Sequence, residues 1–390
     1  MRILIELTYY RPHTSGLTIY VERLARSLVR RGHEVTVLTS QFDKELPREE
    51  YIEGVRVVRV PVLFRISKGV IMPTFGTIAN RLVLEHDVIS LHLPQLDALG
   101  LAIRGRLLKK PTVITYHCDL KMPVGILSWL ANRLVDLMNN LAALFAHRIV
   151  AYTQDYADHS LFLKRFSRKL LFIDPPVELP KVTNKEIVSF RKVNNLGAQS
   201  PVIGIAARFA SEKGIEVLLN AFPKVINEFP DAQIWFAGPY KNILGEEKYY
   251  HRLAPQIQEF EKRGHWKFLG NLNPEQMAAF YPNLDVLVIP SLNSTESFGL
   301  VQIEAMINSV PVIASNLPGV RQPVTQLHLG KIFPVGDSKS LSDCIIEILK
   351  KPIILKNMQM QIIKRFSPTM IAAKYEDLFL ELRNELQQQK

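Results

Sequence analysis

The chain has 390 residues, and its 48 Lys and Arg against 37 Asp and Glu give a net charge of +11 at pH 7. This length exceeds one typical domain core, and 47% hydrophobic with 22% charged residues excludes a wholly disordered chain. Cys118 and Cys344 are the only cysteines, which fits a reducing compartment better than a disulfide-stapled secreted domain.

The positive charge forms no long basic tract. Lys and Arg number 24 against 17 Asp and Glu in residues 1–180, and 24 against 20 in the remainder. No nucleic-acid motif accompanies the excess, so we expect no nucleic-acid partner. Residues 1–6 enter a strand-like pattern with no signal segment, and the apolar stretches 124–130 and 141–146 are too short to span a membrane. We expect a soluble, cytoplasmic protein.

Short apolar strands alternate with amphipathic helical segments, the pattern of parallel sheets covered by helices. A helix from about Leu17 to Arg31 follows the first strand and is ended by Gly32. The predicted strands of the first series are residues 3–8, 35–38, 55–60, 88–91, 112–116, 149–152 and 170–173. Those of the second series are residues 202–207, 233–237, 266–269, 286–289, 312–314 and 332–333.

A stiff connection separates the two series, because Pro175, Pro176 and Pro180 fall within a few residues of each other. We therefore predict an α/β protein of two doubly wound domains, residues 1–178 and 179–366. A helix at about 367–390 could pack back on the first domain. Ligands of such sheets bind outside the carboxyl ends of the strands, so a central cleft between the domains is expected to hold the site.

The segment that starts at Glu296 follows directly on the strand at 286–290. Glu296 and Glu304 are separated by seven residues, and a continuous helix would place them about 12 Å apart. At that distance the two glutamates cannot bind the same atom, but they can bind the two ends of one nucleotide sugar. The amides of Phe298, Gly299 and Leu300 would be unpaired at the helix start, where anionic phosphate and sugar oxygens bind.

This motif resembles the paired-glutamate hallmark of the retaining glycosyltransferases of family 4, the group 1 glycosyltransferases, which have the GT-B fold of two Rossmann-like domains. The resemblance implies that Glu296, with Ser297 and the amides that follow, holds donor-sugar hydroxyls and that Glu304 binds the nucleotide ribose. It also implies that residues 1–178 bind the acceptor and 179–366 the donor. The alternative for the two glutamates is a helix-start residue and a surface residue.

Arg208 and Lys213 lie in a loop after the strand at 202–207. A diphosphate leaving group gains negative charge as the sugar bond breaks, and fixed cations lower that barrier. The resembling family uses an arginine and a lysine in this way, which implies catalytic roles for Arg208 and Lys213. The alternative is two solvated charges, although cations at a helix start oppose the helix dipole.

Two segments of the first half also resemble the family. His117 directly follows the strand at 112–116 and corresponds to the family's strand-end histidine, which faces the donor sugar and helps to place the acceptor. Asp119 is a weaker candidate, for which the alternative is a helix cap. Gly16 lies in the first strand-to-helix loop, where the backbone approaches the donor phosphate. Ser15 stands where the family usually has a second glycine, and Ser309 stands where glycine is commoner.

Two motifs are absent. No Asp-x-Asp triplet occurs, which disfavours the metal-chelating sugar transferases, and no G-x-G-x-x-G follows a strand, which disfavours a nicotinamide dehydrogenase. We expect no metal and no cofactor, so that Arg208, Lys213 and helix amides would stabilise the diphosphate.

The stretch from Lys121 to Arg148 has apolar residues at helical spacing, beside Arg133. They are Ile126, Leu127, Trp129, Leu130, Leu134, Leu137, Leu141 and Leu144. Such a stripe is usually core, but it could also lie on an anionic membrane at the inner face of the plasma membrane and reach a lipid-linked acceptor.

The resemblance therefore implies a retaining, metal-independent hexosyltransferase that uses a GDP- or UDP-linked sugar and a glycan or lipid-linked acceptor in polysaccharide or glycolipid biosynthesis. Two alternatives stay open. A nucleotide-sugar epimerase of the same fold would need no second acceptor, and a non-catalytic nucleotide-sugar-binding protein would keep the fold without turnover.

Overall fold

The structure, a computed structural model, describes residues 1–66, 69–120, 126–194, 200–353 and 358–388, and for 66 and 126–128 the backbone only. It divides into two compact units. The first consists of Met1–Val177 with Arg365–Lys390, and the second of Glu178–Lys364. Each unit is a sheet flanked by helices, which confirms the α/β class and the two Rossmann-like domains predicted from the sequence.

The first unit contains an eight-stranded sheet in the order β10-β9-β8-β7-β1-β2-β4-β3 and a separate hairpin of β5 and β6. All neighbours in the large sheet are parallel except β3, which pairs antiparallel with β4. The strands are β1 (Arg2–Glu6), β2 (Glu34–Gln41), β3 (Glu49–Ile52), β4 (Val55–Pro61), β5 (Phe64–Ile66), β6 (Gly69–Ile71), β7 (Val88–Leu93), β8 (Thr112–Tyr116), β9 (Arg148–Ala151) and β10 (Leu170–Phe172).

The helices of this unit connect the parallel strands. They are α1 (Gly16–Arg30), α2 (Phe75–Glu85), α3 (Ala98–Leu107), α4 (Ile126–Phe145), α5 (Gln154–Ala157) and α6 (Leu161–Arg165), followed by a 3₁₀ turn at Ser167–Lys169. Helix α1 ends where Gly32 adopts a φ of 86°, the left-handed conformation expected after a helix.

Three strands were not predicted. β3 is a four-residue edge strand whose alternate side chains are exposed, and β5 and β6 have three residues each. Their sequences lack the continuous apolar run of strands buried on both faces, so periodicity alone does not reveal them.

The second unit contains a fully parallel sheet in the order β13-β12-β11-β14-β15-β16. Its strands are β11 (Val202–Ala206), β12 (Gln233–Ala237), β13 (Trp266–Gly270), β14 (Val286–Ile289), β15 (Val312–Ser315) and β16 (Gly330–Phe333). Its helices are α7 (Asn184–Asn194), α8 (Ile215–Glu228), α9 (Glu247–Lys262), α10 (Pro274–Phe280), α11 (Leu300–Ile307), α12 (Arg321–Leu327), α13 (Ser338–Lys350) and most of α14 (Gln359–Phe366), with 3₁₀ turns at Ser211–Lys213 and Tyr281–Asn283. The last two residues of α14 belong to the first unit.

The chain ends in helix α15 (Pro368–Gln388), which belongs to the first unit and packs on α1. One face of α15 is buried, and the Tyr375 hydroxyl lies 2.8 Å from the hydroxyl of Tyr20 on α1. The Val177 amide donates to the Phe366 carbonyl at 2.8 Å, so the segment before α15 is also tied to this unit.

Candidate active site

Two loops of the second unit lie against each other at the carboxyl edge of its sheet. They follow β11 and β14, which are neighbouring strands. Gly214 has a φ of 65°, and a Cβ there would lie 2.1 Å from the Pro290 carbonyl oxygen, so only glycine allows this approach. The Leu292 amide donates to the Glu212 carbonyl at 2.9 Å. Gly214 and this hydrogen bond therefore hold the two loops together, and the loops form one surface.

This surface brings Lys213 to Glu296, although the two residues are 83 positions apart in the chain. The Lys213 ammonium lies 2.5 Å from a Glu296 carboxylate oxygen, and the side chains are 20% and 19% exposed. The pair is thus partly shielded from water but open on one side. The structure places these two predicted site residues in direct contact.

Arg208 lies in the same loop as Lys213, and its guanidinium pairs with the Glu212 carboxylate. The Arg208 side chain is 35% exposed, whereas that of Glu212 is 13% exposed. Glu212 therefore orients the arginine from the protein side and leaves part of the guanidinium accessible. Sequence reasoning missed this role of Glu212, although its position just before Lys213 is part of the same motif.

Helix α11 begins at Leu300, so Glu296 and Ser297 lie in the loop before it. The condition of one continuous helix from Glu296 to Glu304 is therefore not met, because Gly299 has a φ of 79° and interrupts it. Gly299 is the N-terminal cap, and none of the described side chains caps the helix there. The positive end of α11 thus follows Glu296 closely in the chain.

Gln302 supports the turn at the start of α11 from inside the protein. Its side chain is fully buried, and its amide nitrogen donates to the Phe298 carbonyl at 2.6 Å and to the Val320 carbonyl at 2.9 Å. Gln302 therefore holds the backbone around Gly299 in place. The glutamine shortly after Gly299 is the sequence signal for this role, and it was missed.

Glu304 lies on α11 and is only 7% exposed. The Tyr281 hydroxyl donates to one of its carboxylate oxygens at 2.7 Å, and Tyr281 is fully buried. Glu304 is thus a buried, hydrogen-bonded carboxylate and not a solvated surface residue. Tyr281 was not singled out in the sequence.

In the first unit, Gly16 is the first residue of α1, and a Cβ there would meet nothing within 4 Å. Ser15 is the N-cap, and its hydroxyl accepts from the Thr18 amide at 3.2 Å. The serine that departs from the family pattern therefore acts as a helix cap.

His117 follows β8, but its ring is only 6% exposed. Its Nε2 lies 2.9 Å from Nδ1 of His92, and its Nδ1 is hydrogen-bonded to the Tyr152 hydroxyl. Burial, with a contribution from the His92 ring, lowers the pKa of His117 well below its ordinary value. A substrate group would have to replace one of these partners to bind a ring nitrogen.

Asp119 is held by structural hydrogen bonds. Its carboxylate accepts from the hydroxyls of Tyr116 at 2.9 Å and Ser160 at 2.7 Å, and its amide donates to the Tyr156 hydroxyl at 2.7 Å. The carboxylate therefore fixes the loop after β8 and does not cap a helix.

Helix α4 carries the apolar stripe predicted from the sequence. Residues 121–125 and the side chains of Ile126 and Leu127 lie outside the described residues. Five of its large apolar side chains are about half exposed, namely Trp129, Leu130, Leu134, Leu137 and Leu144. The interpretation of this stripe as core is therefore wrong for these five residues.

Metal-ligand groups and membrane-spanning helices are both absent from the described ranges. No three His, Cys, Asp or Glu side chains there converge as a metal-ligand group. None of the helices in those ranges has the length and apolarity needed to cross a membrane.

Comparison with known proteins identifies the family. The model of Glycosyltransferase Family 4 matches residues 14–179, and that of Glycosyl transferases group 1 matches residues 187–365. The phosphatidyl-myo-inositol mannosyltransferase of Mycobacterium leprae is 26% identical over 363 residues, which cover 91% of this chain and 89% of the relative. The alpha-monoglucosyldiacylglycerol synthase of Streptococcus pneumoniae is 25% identical, with coverage of 90% and 78%.

Among solved structures, Anabaena HepE in complex with UDP-glucose superposes with a TM-score of 0.76 at 21% identity and covers 98% of this chain and 100% of its own. At this identity the similarity shows the fold. The two family models together span both units, and the chain belongs to the group 1, family 4 glycosyltransferases of the GT-B fold.

Proposed function

We propose that this glycosyltransferase moves a hexose from a nucleoside-diphosphate sugar, GDP- or UDP-linked, to a hydroxyl of a glycan or lipid-linked acceptor. The observation that carries this proposal is the contact between Lys213 and Glu296, since Glu296 lies in the loop that leads into α11. It joins a cation to a carboxylate that lies in the loop immediately before a helix N-terminus.

Arg208 and Lys213 would stabilise the leaving diphosphate. As the bond to the sugar breaks, negative charge develops on the phosphate oxygens, and cations already held in place need little reorganisation to meet it. Glu212 and Glu296 hold the two cations in this way. Removal of one such group costs roughly 100- to 1000-fold in turnover.

The turn before α11 would bind the sugar and the phosphate. The Glu296 carboxylate accepts hydrogen bonds from sugar hydroxyls, and Ser297 with the amides of Phe298, Gly299 and Leu300 binds the remaining donor oxygens. Glu304, whose carboxylate accepts a hydrogen bond from the Tyr281 hydroxyl, would bind the ribose of the donor nucleotide. Gly16 would allow the first loop of the chain to approach the donor phosphate.

Retention of configuration and independence of metal are carried over from the resemblance to family 4. No side chain is assigned as a covalent nucleophile, and the acceptor hydroxyl would attack from the face that the diphosphate leaves, with the leaving phosphate as base. His117 would lie beside the donor sugar in the acceptor-binding first domain.

The names of the relatives support a lipid acceptor. The Mycobacterium leprae protein is named for phosphatidyl-myo-inositol and the Streptococcus pneumoniae protein for a diacylglycerol product, and both align with about nine tenths of this chain. A role in glycolipid or polysaccharide biosynthesis follows from this proposal.

Helix α4 would bring the enzyme to its acceptor. Arg133 and Asp136 are the only charged residues of this 20-residue helix, and the Arg133 guanidinium lies 5.6 Å from the Trp129 ring centroid. Half-exposed leucines beside a tryptophan and an arginine are typical of helices in a membrane interface. With a net charge of +11, we propose peripheral contact with an anionic membrane at its cytoplasmic face.

The test has two stages. A panel of nucleotide sugars is screened by thermal stabilisation, since a ligand at 100 times its dissociation constant adds about 2.7 kcal/mol to the free energy of unfolding. The best donor is then assayed with lipid and glycan acceptors in the wild type, Lys213→Ala, Glu296→Ala and Lys224→Ala. Lys224 pairs with Asp343 on the exposed surface of the same unit and serves as the matched control.

We expect both site variants to lose most turnover while keeping the wild-type melting temperature, and the control to retain it. Wild-type turnover in either site variant contradicts the assigned roles. A new nucleotide sugar formed without an acceptor would show an epimerase, and donor binding with no turnover on any acceptor would show a binding protein.

A further inference from the structure

A buried cluster of aromatic and polar side chains lies in the first unit around His117. We call His92, His117, Tyr152, Tyr20 and Tyr375 the histidine cluster, and all five are no more than 8% exposed. His92 lies on β7 and His117 follows β8, so neighbouring strands deliver the two rings to one place. Apart from His117, none of these residues has a role in the reaction proposed above.

The hydrogen bonds of the cluster fix the protons on the rings. A neutral imidazole has one N–H donor and one acceptor nitrogen. The 2.9 Å contact between His92 and His117 needs one of each, and the Tyr152 hydroxyl completes the other side of His117. Two protonated rings would bring two like charges to this contact in a buried site. The arrangement therefore favours a neutral His117 in a single orientation.

Packing holds the same ring from a third side. The Tyr20 ring meets the His117 ring edge-on, with 5.0 Å between centroids. The Tyr20 hydroxyl lies 2.8 Å from the Tyr375 hydroxyl, which in turn lies 2.8 Å from Oγ1 of Thr115. Helix α15 thus reaches the end of β8 two residues before His117.

The geometry points to His92 and Tyr152 as positioning residues, which hold the His117 ring neutral and correctly oriented for sugar transfer. This inference rests on the proposed role of His117 beside the donor sugar. The anomeric carbon gains positive charge as the diphosphate leaves, and a neutral ring does not oppose that charge as an imidazolium would. Neither His92 nor Tyr152 needs to touch the substrate.

His86 offers a matched control for His92. His86 lies just before the amino end of β7, whereas His92 lies near the carboxyl end of the same strand. His86 is 4% exposed, and both of its ring nitrogens also make hydrogen bonds. Its Nδ1 lies 2.6 Å from the Leu82 carbonyl and its Nε2 2.8 Å from Oγ1 of Thr36. A purely structural role predicts equal effects of His86→Leu and His92→Leu.

The experiment measures kcat, donor KM, the pH profile of kcat and the melting temperature for His92→Leu, His92→Asn, Tyr152→Phe and His86→Leu. We expect His92→Leu and Tyr152→Phe to lower kcat roughly 10- to 100-fold with donor KM little changed, since a misplaced group costs this much. The acid limb of the His92→Leu profile moves to higher pH, because the His92 ring that helps to lower the pKa of His117 is gone. His92→Asn restores part of kcat, and His86→Leu loses stability only.

The inference is overturned if His92→Leu and Tyr152→Phe keep the wild-type kcat and pH profile, or if His86→Leu matches them. NMR of the ring nitrogens in the wild type gives a second test without variants. We expect His117 to titrate well below the ordinary histidine value of 6.5, and titration of this ring near 6.5 would contradict the inference. Failure of the wild type to transfer sugar from any donor would instead contradict the proposed function.

Discussion

The Lys213 ammonium lies 2.5 Å from the Glu296 carboxylate in the second unit, across two loops that follow neighbouring strands. The pair is only one fifth exposed on each side, so its geometry is set by the fold and not by chance contact at the surface. Gly214 makes this possible, because no other residue would let its loop approach the Pro290 carbonyl.

Gly214→Ala should therefore destabilise the second unit and weaken donor binding. A Cβ would lie 2.1 Å from the Pro290 oxygen, and the φ of 65° adds strain of about 1–3 kcal/mol. Gly245 has a φ of 82° but nothing within 4 Å of a Cβ, so Gly245→Ala carries the strain without the clash. Thermal unfolding with and without the donor distinguishes the two. Equal losses of stability and donor binding in both variants would show that the close approach of the Gly214 loop to Pro290 is not required.

Tyr281→Phe should weaken donor binding while turnover at saturation stays near that of the wild type. It removes the hydroxyl that fixes Glu304, and loss of such a hydrogen bond costs about 1 kcal/mol, which corresponds to a roughly fivefold increase in KM. Steady-state kinetics with the donor varied measures this. Tyr249→Phe removes a buried hydroxyl bonded to Glu216 in the same unit and should leave KM unchanged. An unchanged donor KM in Tyr281→Phe would contradict the proposed role of Glu304 in donor binding.

Asp97 makes the stability of the protein depend on pH. Burial raises its pKa to about 6, above the roughly 3.9 of an unfolded chain. Above pH 6 the buried carboxylate is ionised at a cost, and as pH falls to 4 the folded state takes up a proton that the unfolded state does not. Asp97→Asn should therefore raise the free energy of unfolding by roughly 2–3 kcal/mol at pH 8, and the gain should vanish near pH 4.

Asp87 gives the control of opposite sign. Its hydrogen bond with Arg2 lowers the pKa of its carboxyl, so this group stabilises the fold at neutral pH and loses that effect in acid. Asp87→Asn should destabilise the protein at neutral pH. Denaturant unfolding at pH 4, 6 and 8 measures both variants, and a pH-independent effect of Asp97→Asn would contradict the account.

Helix α4 predicts binding to anionic vesicles. The wild type should sediment with phosphatidylglycerol vesicles more than with phosphatidylcholine vesicles, and less at high salt. Replacement of Trp129 and Leu130 by serine removes two half-exposed apolar side chains and should release the protein. Leu161 is 84% exposed on α6, so Leu161→Ser is the control. Equal sedimentation of all three proteins would exclude α4 as the contact.

The strands buried on both faces could be predicted from the sequence, because a run such as that of β11 or β14 has no polar side chain. The motif residues Arg208, Lys213 and Glu296 could be chosen from the sequence, but the side chains that support the site could not. Glu212 and Gln302 each bond a residue four positions away in an irregular loop. Tyr281 bonds Glu304 from 23 positions away, and strand or helix periodicity does not predict any of these contacts. The burial of His117 depends in the same way on His92 and Tyr152, which lie on other strands or after them.

The central claim is that Lys213 holds the diphosphate of the donor. Calorimetry with the nucleoside diphosphate and monophosphate of the preferred base tests it in the wild type and in Lys213→Ala. We expect the variant to bind the diphosphate at least about tenfold more weakly, a change of about 1.4 kcal/mol, and the monophosphate with nearly unchanged affinity. Equal weakening of both ligands, or of neither, would contradict the claim.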